Sequence, residues 1–453
     1  MRTYRQLFRT PEFTPFFLTS ALQVGAQTMS GLALGHRVYA ATGSPLLSAL
    51  AMFGPALAQV IGAATLLSAA DRIPPRTALT GLALLLGLGT AVQALPGLPV
   101  WAAFAVLLAL GPVSSLGGGV RYGLLHEILA REGYLLGRSV LNMSAGLLQI
   151  CGFAAGGVLV TVLSARGTLL AGAGLYAAAA AVARCGLGRR PPRAAGRPSV
   201  ADTWRNNARL WSAGPRRTVY LALWVPNGLI VGCESLYVPY APRHAGLLFA
   251  CGALGMLTGD ILIGRYVPRR WRPRLCVPLC LLLAVPYLLF ALRPALPLAL
   301  AAVLLATVGY AANLPLQERL MSLTPDELSG HALGLHSSGM LTLQGVGAAL
   351  AGAVAERTSP TTAMAAMAAA SVVVTVALAP GLRPGGPDRR PTQDGDSDRD
   401  DGDGDGDGDG DGTSDSEGDG DGDGDGTKPC RKMPGKLAPA QRELPPSRPS
   451  AGA

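Results

Sequence analysis

The sequence predicts an all-α, polytopic membrane protein of twelve transmembrane helices, arranged as two parallel six-helix halves. Three observations predict it: too little charge for water, apolar runs of bilayer length that recur with short gaps, and arginines confined to every second gap. Hydrophobic residues make up 49% of the 453 and charged ones only 15%, against roughly a quarter charged in soluble domains. Such a chain dissolves in lipid. Every cation before Lys428 is Arg, and Ala, Gly, Pro and Leu dominate, a bias that fits a very GC-rich bacterial genome of the actinobacterial kind.

About 20 apolar residues of helix cross a hydrocarbon core. Such runs fall at residues 14–35, 46–68, 77–95, 99–119, 138–163 and 168–186, then at 218–240, 245–264, 275–292, 296–316, 332–354 and 361–380. They are numbered spans 1–12. The first is of full length and no cleavage site follows it, so no signal peptide is expected. The last is Ala-rich and the weakest of the set.

Arginine sets the orientation. Arg72 and Arg76 follow span 2, and Arg121, Arg131 and Arg138 follow span 4. Nine arginines from Arg184 to Arg217 follow span 6, and Arg265, Arg269, Arg270, Arg272 and Arg274 follow span 8. Apart from Arg37 at the end of span 1, the other gaps hold at most one. By the positive-inside rule both termini and the 187–217 linker lie in the cytoplasm, with the chain in a bacterial plasma membrane. An odd number of spans would break the alternation. The organisation predicted is a half over 1–186, a basic linker over 187–217, a second half over 218–382, and a tail over 383–453.

The tail has different physics. Residues 1–390 carry 31 Arg and 12 acids, a net charge of +19, whereas 391–453 carry 7 Lys and Arg against 17 acids, a net of −10. From Asp394 the chain is Asp-Gly repeats, too polar to bury a core, and predicted to be disordered in the cytoplasm. Alternating Asp imitates the start of a calcium loop. Frames from Asp401 onward put Gly, Ser or Thr where the bidentate Glu belongs, so nothing beyond weak divalent association is expected. Six of the seven cysteines (151, 185, 233, 251, 276 and 280, with Cys430 the exception) sit in or beside apolar runs without a CxxC pair. They read as small apolar residues. No metal site, cofactor or nucleic-acid partner is expected, and no P-loop, catalytic triad or HExxH pattern suggests an enzyme.

The six spans repeat once. Asp71-Arg72-Ile73-Pro74-Pro75-Arg76 after span 2 aligns with Gly264-Arg265-Tyr266-Val267-Pro268-Arg269 after span 8, at a shift of 193 residues that also pairs Gly62 with Gly255 and Gly152 with Gly345. An even-numbered repeat keeps its orientation, so the halves are parallel about an axis along the membrane normal.

With six plus six spans, a basic central linker and this loop, residues 1–382 resemble the major facilitator superfamily, whose loop reads G-x-x-x-D-R-x-G-R-R. Asp71, Arg72 and Arg76 match; Leu67, Pro74 and Pro75 depart from it. The resemblance implies that the matching three form a gating clamp at the cytoplasmic helix ends; Arg265 and Arg269 are the repeat counterparts of Arg72 and Arg76, and Asp260, the counterpart of Leu67, is read as a gating latch. The alternative is ordinary orienting charge for the loop arginines, and for Asp260 a salt bridge to the Arg265–Arg270 cluster. Gly152-Phe153-Ala154-Ala155-Gly156-Gly157 in span 5 is similar to the glycine motif of the exporters of that superfamily, with Phe153 in place of Pro. Gly152, Gly156 and Gly157 equally suit close helix packing. The mid-helix Arg of span 4 usual in proton-coupled exporters is missing, the first cation there being Arg121 beyond the apolar run.

The resemblance implies a central cavity lined by spans 1, 4, 7 and 10. Gln23, Gln27 and Ser30 share one face of span 1, Asn227 and Glu234 lie seven apart on span 7, and Tyr310, Asn313 and Gln317 share a face of span 10. These side chains line a substrate path or hold helices together. Pro226-Asn227-Gly228 is expected to interrupt span 7. Glu234 is the candidate for proton coupling, or else a partner of Arg37, His36 or Arg243. His336 titrates or hydrogen-bonds a neighbour. Thr324-Pro325-Asp326-Glu327 reads as a capped helix start. The function expected is secondary active transport by a monomer among membrane lipids: efflux of a small amphipathic or drug-like molecule by alternating access, as a proton antiporter. The alternatives are an uptake permease, or a membrane scaffold or sensor that works through its acidic tail.

Overall fold

A computed structural model of the protein describes residues 4–70, 73–129, 131–191, 200–268, 270–325 and 328–382. Asp71, Arg72, Arg269, Asp326, Glu327 and the Asp-Gly tail with Cys430 lie outside them. Backbone proximity divides the chain at Asp388, and every described residue belongs to the first unit.

All regular structure among the described residues is helical. Spans 1–4 are Phe13–Thr42, Pro45–Ala70, Pro75–Gln93 and Val100–Ile128. Spans 5 and 6 form one run, Arg131–Gly186, broken only where Ser164 turns to φ 69° and ψ 167°. An amphipathic linker helix, Val200–Ser212, precedes span 7, Gly214–Ser235, which Tyr237–Tyr240 extends. Span 8 is Ala245–Ile261 with a π turn at Leu262–Tyr266, and span 9 is Arg272–Ala284 with a 3₁₀ extension to Leu292. Span 10 runs from Leu296 to Ser322 through a 3₁₀ turn at Gly309–Ala312, and spans 11 and 12 are Ser329–Arg357 and Pro360–Leu382.

Nine helices among the described residues are long and apolar enough to cross a membrane, and one of these, Leu147–Gly186, holds both spans 5 and 6. Span 2 contributes an apolar stretch at Pro45–Val60. Span 1 is 30 residues long but is diluted by Thr, Ser, Gln and Gly on its inward faces. Together they make twelve helical rods, and the weakest by sequence, span 12, is a helix of 23 residues. Trp101, Val162 and Leu292 are more than 70% exposed. Apolar surface this open belongs against lipid.

Two expectations are corrected. Span 4 does not end near residue 119: the helix continues to Ile128, so Arg121 is a helical residue. Span 7 is not interrupted at Pro226, since Gly214–Ser235 is one continuous helix. Pro-Asn-Gly serves packing there instead. A Cβ on Gly228 would stand 2.5 Å from the Leu343 carbonyl oxygen and one on Gly347 would overlap the Gly228 oxygen, so spans 7 and 11 cross backbone to backbone. Thr324 gives its hydroxyl to Leu320 O, 2.6 Å away, in the preceding helix, and the rest of the predicted cap, at Asp326 and Glu327, lies outside the described residues.

The buried apolar clusters show how the halves meet. At the end remote from the linker, one cluster unites both: Leu32, Tyr39, Met52, Phe53 and Phe153 of the first half pack with Tyr237, Phe249, Tyr287 and Ala351 of the second. At the linker end the clusters are separate. One, around Phe13, Leu79, Leu124 and Leu141, belongs to the first half; the other, around Tyr220, Trp224, Cys280 and Leu316, belongs to the second. Among the described residues the buried clusters are therefore shared by both halves at one end and confined to one half each at the other.

Two crossings make the joined end. Spans 5 and 8 touch at glycine, where a Cβ on Gly246 would stand 2.4 Å from the Gly157 Cα, and Phe153 stacks on Phe249 at 4.6 Å and 17°. Spans 2 and 11 touch where a Cβ on Gly352 would stand 2.6 Å from the Leu46 Cα, and Ser44 donates its hydroxyl to Glu356 nearby. The two crossings exchange under the repeat, span 2 corresponding to span 8 and span 5 to span 11. Inside each half the paired glycines do equivalent work. Gly62 abuts the Pro112 backbone of span 4, and Gly255 abuts the Leu304 carbonyl of span 10.

Candidate functional site

A cavity of about 190 Å³ opens within the first half, between spans 1, 2, 3, 4 and 6. Gln23 and Gln27 reach it from span 1, Gln59 from span 2, Ser114 and Arg121 from span 4, and Tyr176 from span 6. Spacing explains the span 4 face: Ser114 and Arg121 are seven apart, two turns of one helix. Arg121 Nη2 donates to Gln23 Oε1 at 2.8 Å. Gln23 is only 4% exposed, and its amide Nε2 has no hydrogen-bond partner. Gln27 is exposed at the cavity.

Ser30 lies outside this cavity. A Cβ on Gly172 would stand 2.2 Å from its hydroxyl oxygen, so the serine packs into the face of span 6. Gly152 and Gly156 likewise abut span 1, at Thr28 and at Met29 Cα, while Gly157 forms the contact with span 8. All three glycines sit where helices cross.

The second half holds a different polar group. Tyr310 donates its hydroxyl to Glu234 Oε1 at 3.0 Å, bridging spans 10 and 7. The Tyr237 and Tyr287 hydroxyls are hydrogen-bonded to each other within electrostatic reach of the carboxylate. Arg37 does not pair with Glu234. Its Nη2 instead donates to Leu95 O and Leu98 O, at 3.2 and 3.3 Å, in the loop after span 3. A carboxyl at this depth costs about 3 kcal/mol when charged, and the Tyr310 hydroxyl is the donor that offsets part of that cost.

Nearer the linker end, Gln344 of span 11 donates to Asn227 Oδ1 at 3.0 Å. Trp224 Nε1 donates to His336 O at 3.1 Å and to His336 Nδ1 at 3.3 Å, and Gln317 faces the other ring nitrogen at 3.4 Å. With Nδ1 accepting, the neutral ring carries its proton on Nε2, which calls for the amide oxygen of Gln317 as partner. The outer face of Trp224 is stacked on Trp211 of the linker helix, 5.7 Å between centroids at 11°. Asn313 is half-buried one turn beyond Tyr310. Spans 7, 10 and 11 are thus tied by polar contacts along their length.

Of the gating candidates, Arg76 is half-buried in the first turn of span 3. Asp260 and Arg265 are exposed, and neither forms an ion pair among the described residues. Arg272 carries the linker-end ties of the second half, pairing with Glu318 and donating to Val267 O and Gly264 O at 3.2 and 3.0 Å. Arg190 at the start of the linker spans Glu12 at 2.6 Å and Glu127 at 3.5 Å, both of the first half. Reading by apolar runs missed Arg121, Gln59, Tyr176 and Gln344. The first of these was signalled by its spacing, seven residues beyond Ser114 on the face that Gly117 and Gly118 share.

No curated protein matches the chain in sequence. Solved structures do match in fold. A POT family transporter in complex with 5-aminolevulinic acid superposes with TM-score 0.67 at 13% identity, covering 82% of this chain and 96% of that one. The nucleoside transporter NupG gives 0.64 at 15% identity, over 82% and 99%. A bacterial homologue of the human lysosomal transporter Spinster gives 0.63 at 13% identity, over 84% and 97%. The sequence model for the Major Facilitator Superfamily matches residues 16–322 and again 240–429, which takes in both halves. Two six-helix halves joined at glycine crossings, a polar cavity in the membrane and that match agree: this chain is a multi-pass membrane transporter and belongs to the major facilitator superfamily.

Proposed function

We propose that the protein exports a small amphipathic or drug-like compound by alternating access, as a monomeric proton antiporter of the bacterial plasma membrane with both termini cytoplasmic. The observation that carries this reading is the asymmetry of the buried clusters, shared by both halves at one end and divided between them at the other. Such an arrangement can invert by rocking one half on the other. With the arginine-rich end inside, the described state faces the cytoplasm, where an export substrate loads.

Glu234 is the proposed proton carrier, because a carboxyl held by Tyr310 at membrane depth can be neutral in one state and charged in another. His336 is the second titrating candidate. Gln23 and Gln27, with Asn227, Tyr310, Asn313 and Gln317 across the divide, are the proposed substrate path. Asp71, Arg72 and Arg76, with Asp260, Arg265 and Arg269, are the proposed gate at the linker end. Export is supported by the span 5 glycines, whose exporter-like pattern packs on span 1 at Gly152 and Gly156 and on span 8 at Gly157. A small-molecule substrate is supported by the solved relatives, one of them a transporter crystallised with 5-aminolevulinic acid.

The test is flux in proteoliposomes under an imposed pH gradient, run with a panel of amphipathic dyes and metabolites. Gradient-dependent movement that Glu234→Gln abolishes is expected. Vesicles that move no compound faster than protein-free ones refute the coupled-export reading. Accumulation in intact cells, relative to a deletion strain, would replace export by uptake. Loss of all activity on deleting residues 391–453 would favour the scaffold.

A further inference from the structure

We propose that the turn between spans 8 and 9 is a docking surface for the headgroup of an anionic phospholipid in the leaflet on the linker side. It holds for either direction of transport. Between Asp260 and Glu318 the sequence contains no acid, and Arg265, Arg269, Arg270, Arg272 and Arg274 fall within residues 265–274. A cluster of cations this dense beside a membrane helix draws anionic lipid to it.

The fold of the turn divides the cations between two tasks. Arg272 is turned inward: it pairs with Glu318, and it donates from Nε to Val267 O at 3.2 Å and from Nη2 to Gly264 O at 3.0 Å. Those bonds staple the π turn at Leu262–Tyr266 to the first residue of span 9. Ile263 and Val267 anchor the same turn in the apolar cluster that holds Tyr220 and Trp224. Arg265, Arg270 and Arg274 are left exposed, and none of the three enters an ion pair among the described residues.

Large rings stand open among these cations. Tyr266 is 68% exposed and Trp271 48%, and the Arg274 guanidinium lies over the Trp271 ring, 5.0 Å from its centroid. Orientation in the membrane accounts for the charge. It does not account for aromatic surface left uncovered beside the charge. A headgroup layer accounts for both, because amphipathic rings settle where hydrocarbon gives way to phosphate. Ile261 and Leu262, also exposed, supply the apolar shoulder on which acyl chains can lie. Arg270 and Arg274 then offer planar donors to the phosphodiester oxygens. A soluble phosphate would use the guanidinium groups alone and leave the rings and the shoulder bare.

The experiment places the full-length protein in phosphatidylcholine vesicles and replaces part of the lipid with brominated phosphatidylglycerol or brominated phosphatidylcholine, whose bromine quenches indole fluorescence on contact. The Trp271 signal is the difference between the wild type and Trp271→Phe. Phosphatidylglycerol should quench that signal at a mole fraction roughly fivefold lower than phosphatidylcholine, or lower still, fivefold being about the factor that one cation near an anionic surface gives. Arg270→Gln and Arg274→Gln, both at exposed positions, should each reduce the preference, and the double variant should remove most of it. Salt at about 1 M, where the Debye length falls to about 3 Å, should weaken it as well. Arg166→Gln, at an exposed position between spans 5 and 6, should leave it intact. Equal quenching by the two lipids, an unchanged preference in the double variant, or an equal loss in Arg166→Gln each overturns the assignment. Abolition of the preference by glycerol phosphate would make this a soluble-phosphate site, and abolition by an Asp-Gly peptide a protein-binding face; either result refutes the lipid.

Discussion

Gly246→Ala puts a methyl group where two backbones already touch. The new carbon would stand 2.4 Å from Gly157 Cα and 2.9 Å from Phe153 O, both main-chain atoms that no rotamer change moves aside. Ordinary contact begins at 3.4 Å, so spans 5 and 8 must separate by about 1 Å. Overpacking of this kind costs about 1–3 kcal/mol. Here the cost falls only on the state in which the remote ends are joined, so the ratio of joined to parted states should drop roughly 5- to 150-fold. The assay is the distance distribution between spin labels at Thr42 and Thr358, exposed positions at the remote ends of opposite halves, in a cysteine-free background. A longer population should grow in Gly246→Ala. Gly255→Ala, whose Cβ would meet the Leu304 carbonyl at 2.3 Å inside one half, should lower stability and leave that distance unchanged. An unaltered distribution in a folded Gly246→Ala protein, or equal effects of both substitutions, would refute the reasoning that this crossing closes the remote end.

Other consequences are smaller in scale. Tyr310→Phe removes the hydroxyl that bonds Glu234 and should slow gradient-driven flux by about tenfold, on a hydrogen bond to a charged group worth roughly 1.5–3 kcal/mol, whereas exchange without net proton movement should be less affected. Gln344→Leu strands the buried Asn227 carbonyl and should cost about 0.6–2 kcal/mol of stability in detergent-denaturant unfolding. Trp224→Phe keeps the stack on Trp211 but loses both bonds to His336, and should lower stability by roughly 1 kcal/mol in the same measurement while raising reactivity of the His336 ring.

Much of the architecture was legible because lipid imposes it. Runs of apolar residues report helix length directly, and the repeat follows from Arg-Pro-Arg at a fixed shift. What stayed hidden depends on neighbours distant in the chain. Span 4 looked finished at Gly119 because counting stops at the first charge, yet Arg121 remains helical by facing a cavity where its guanidinium finds Gln23, 98 positions away. Pro226 looked like a break because its lost hydrogen bond is local and visible, while the compensating contact with Gly347 is neither. Ser30 shares a helical face with Gln23 and Gln27 and still misses the cavity, since one glycine at 172 draws span 6 over it. Glu234 was legible as a costly carboxyl, but its partner had to be seen in space to be Tyr310 rather than Arg37.

The most direct test of alternating access is the reactivity of a cysteine at Gln27 toward a membrane-impermeant maleimide applied to each face separately, in a cysteine-free background. The wild type should label from the linker face, and adding Gly246→Ala should open labelling from the opposite face. Labelling from one face alone in both proteins, or from neither, would contradict a cavity that two rocking halves expose in turn.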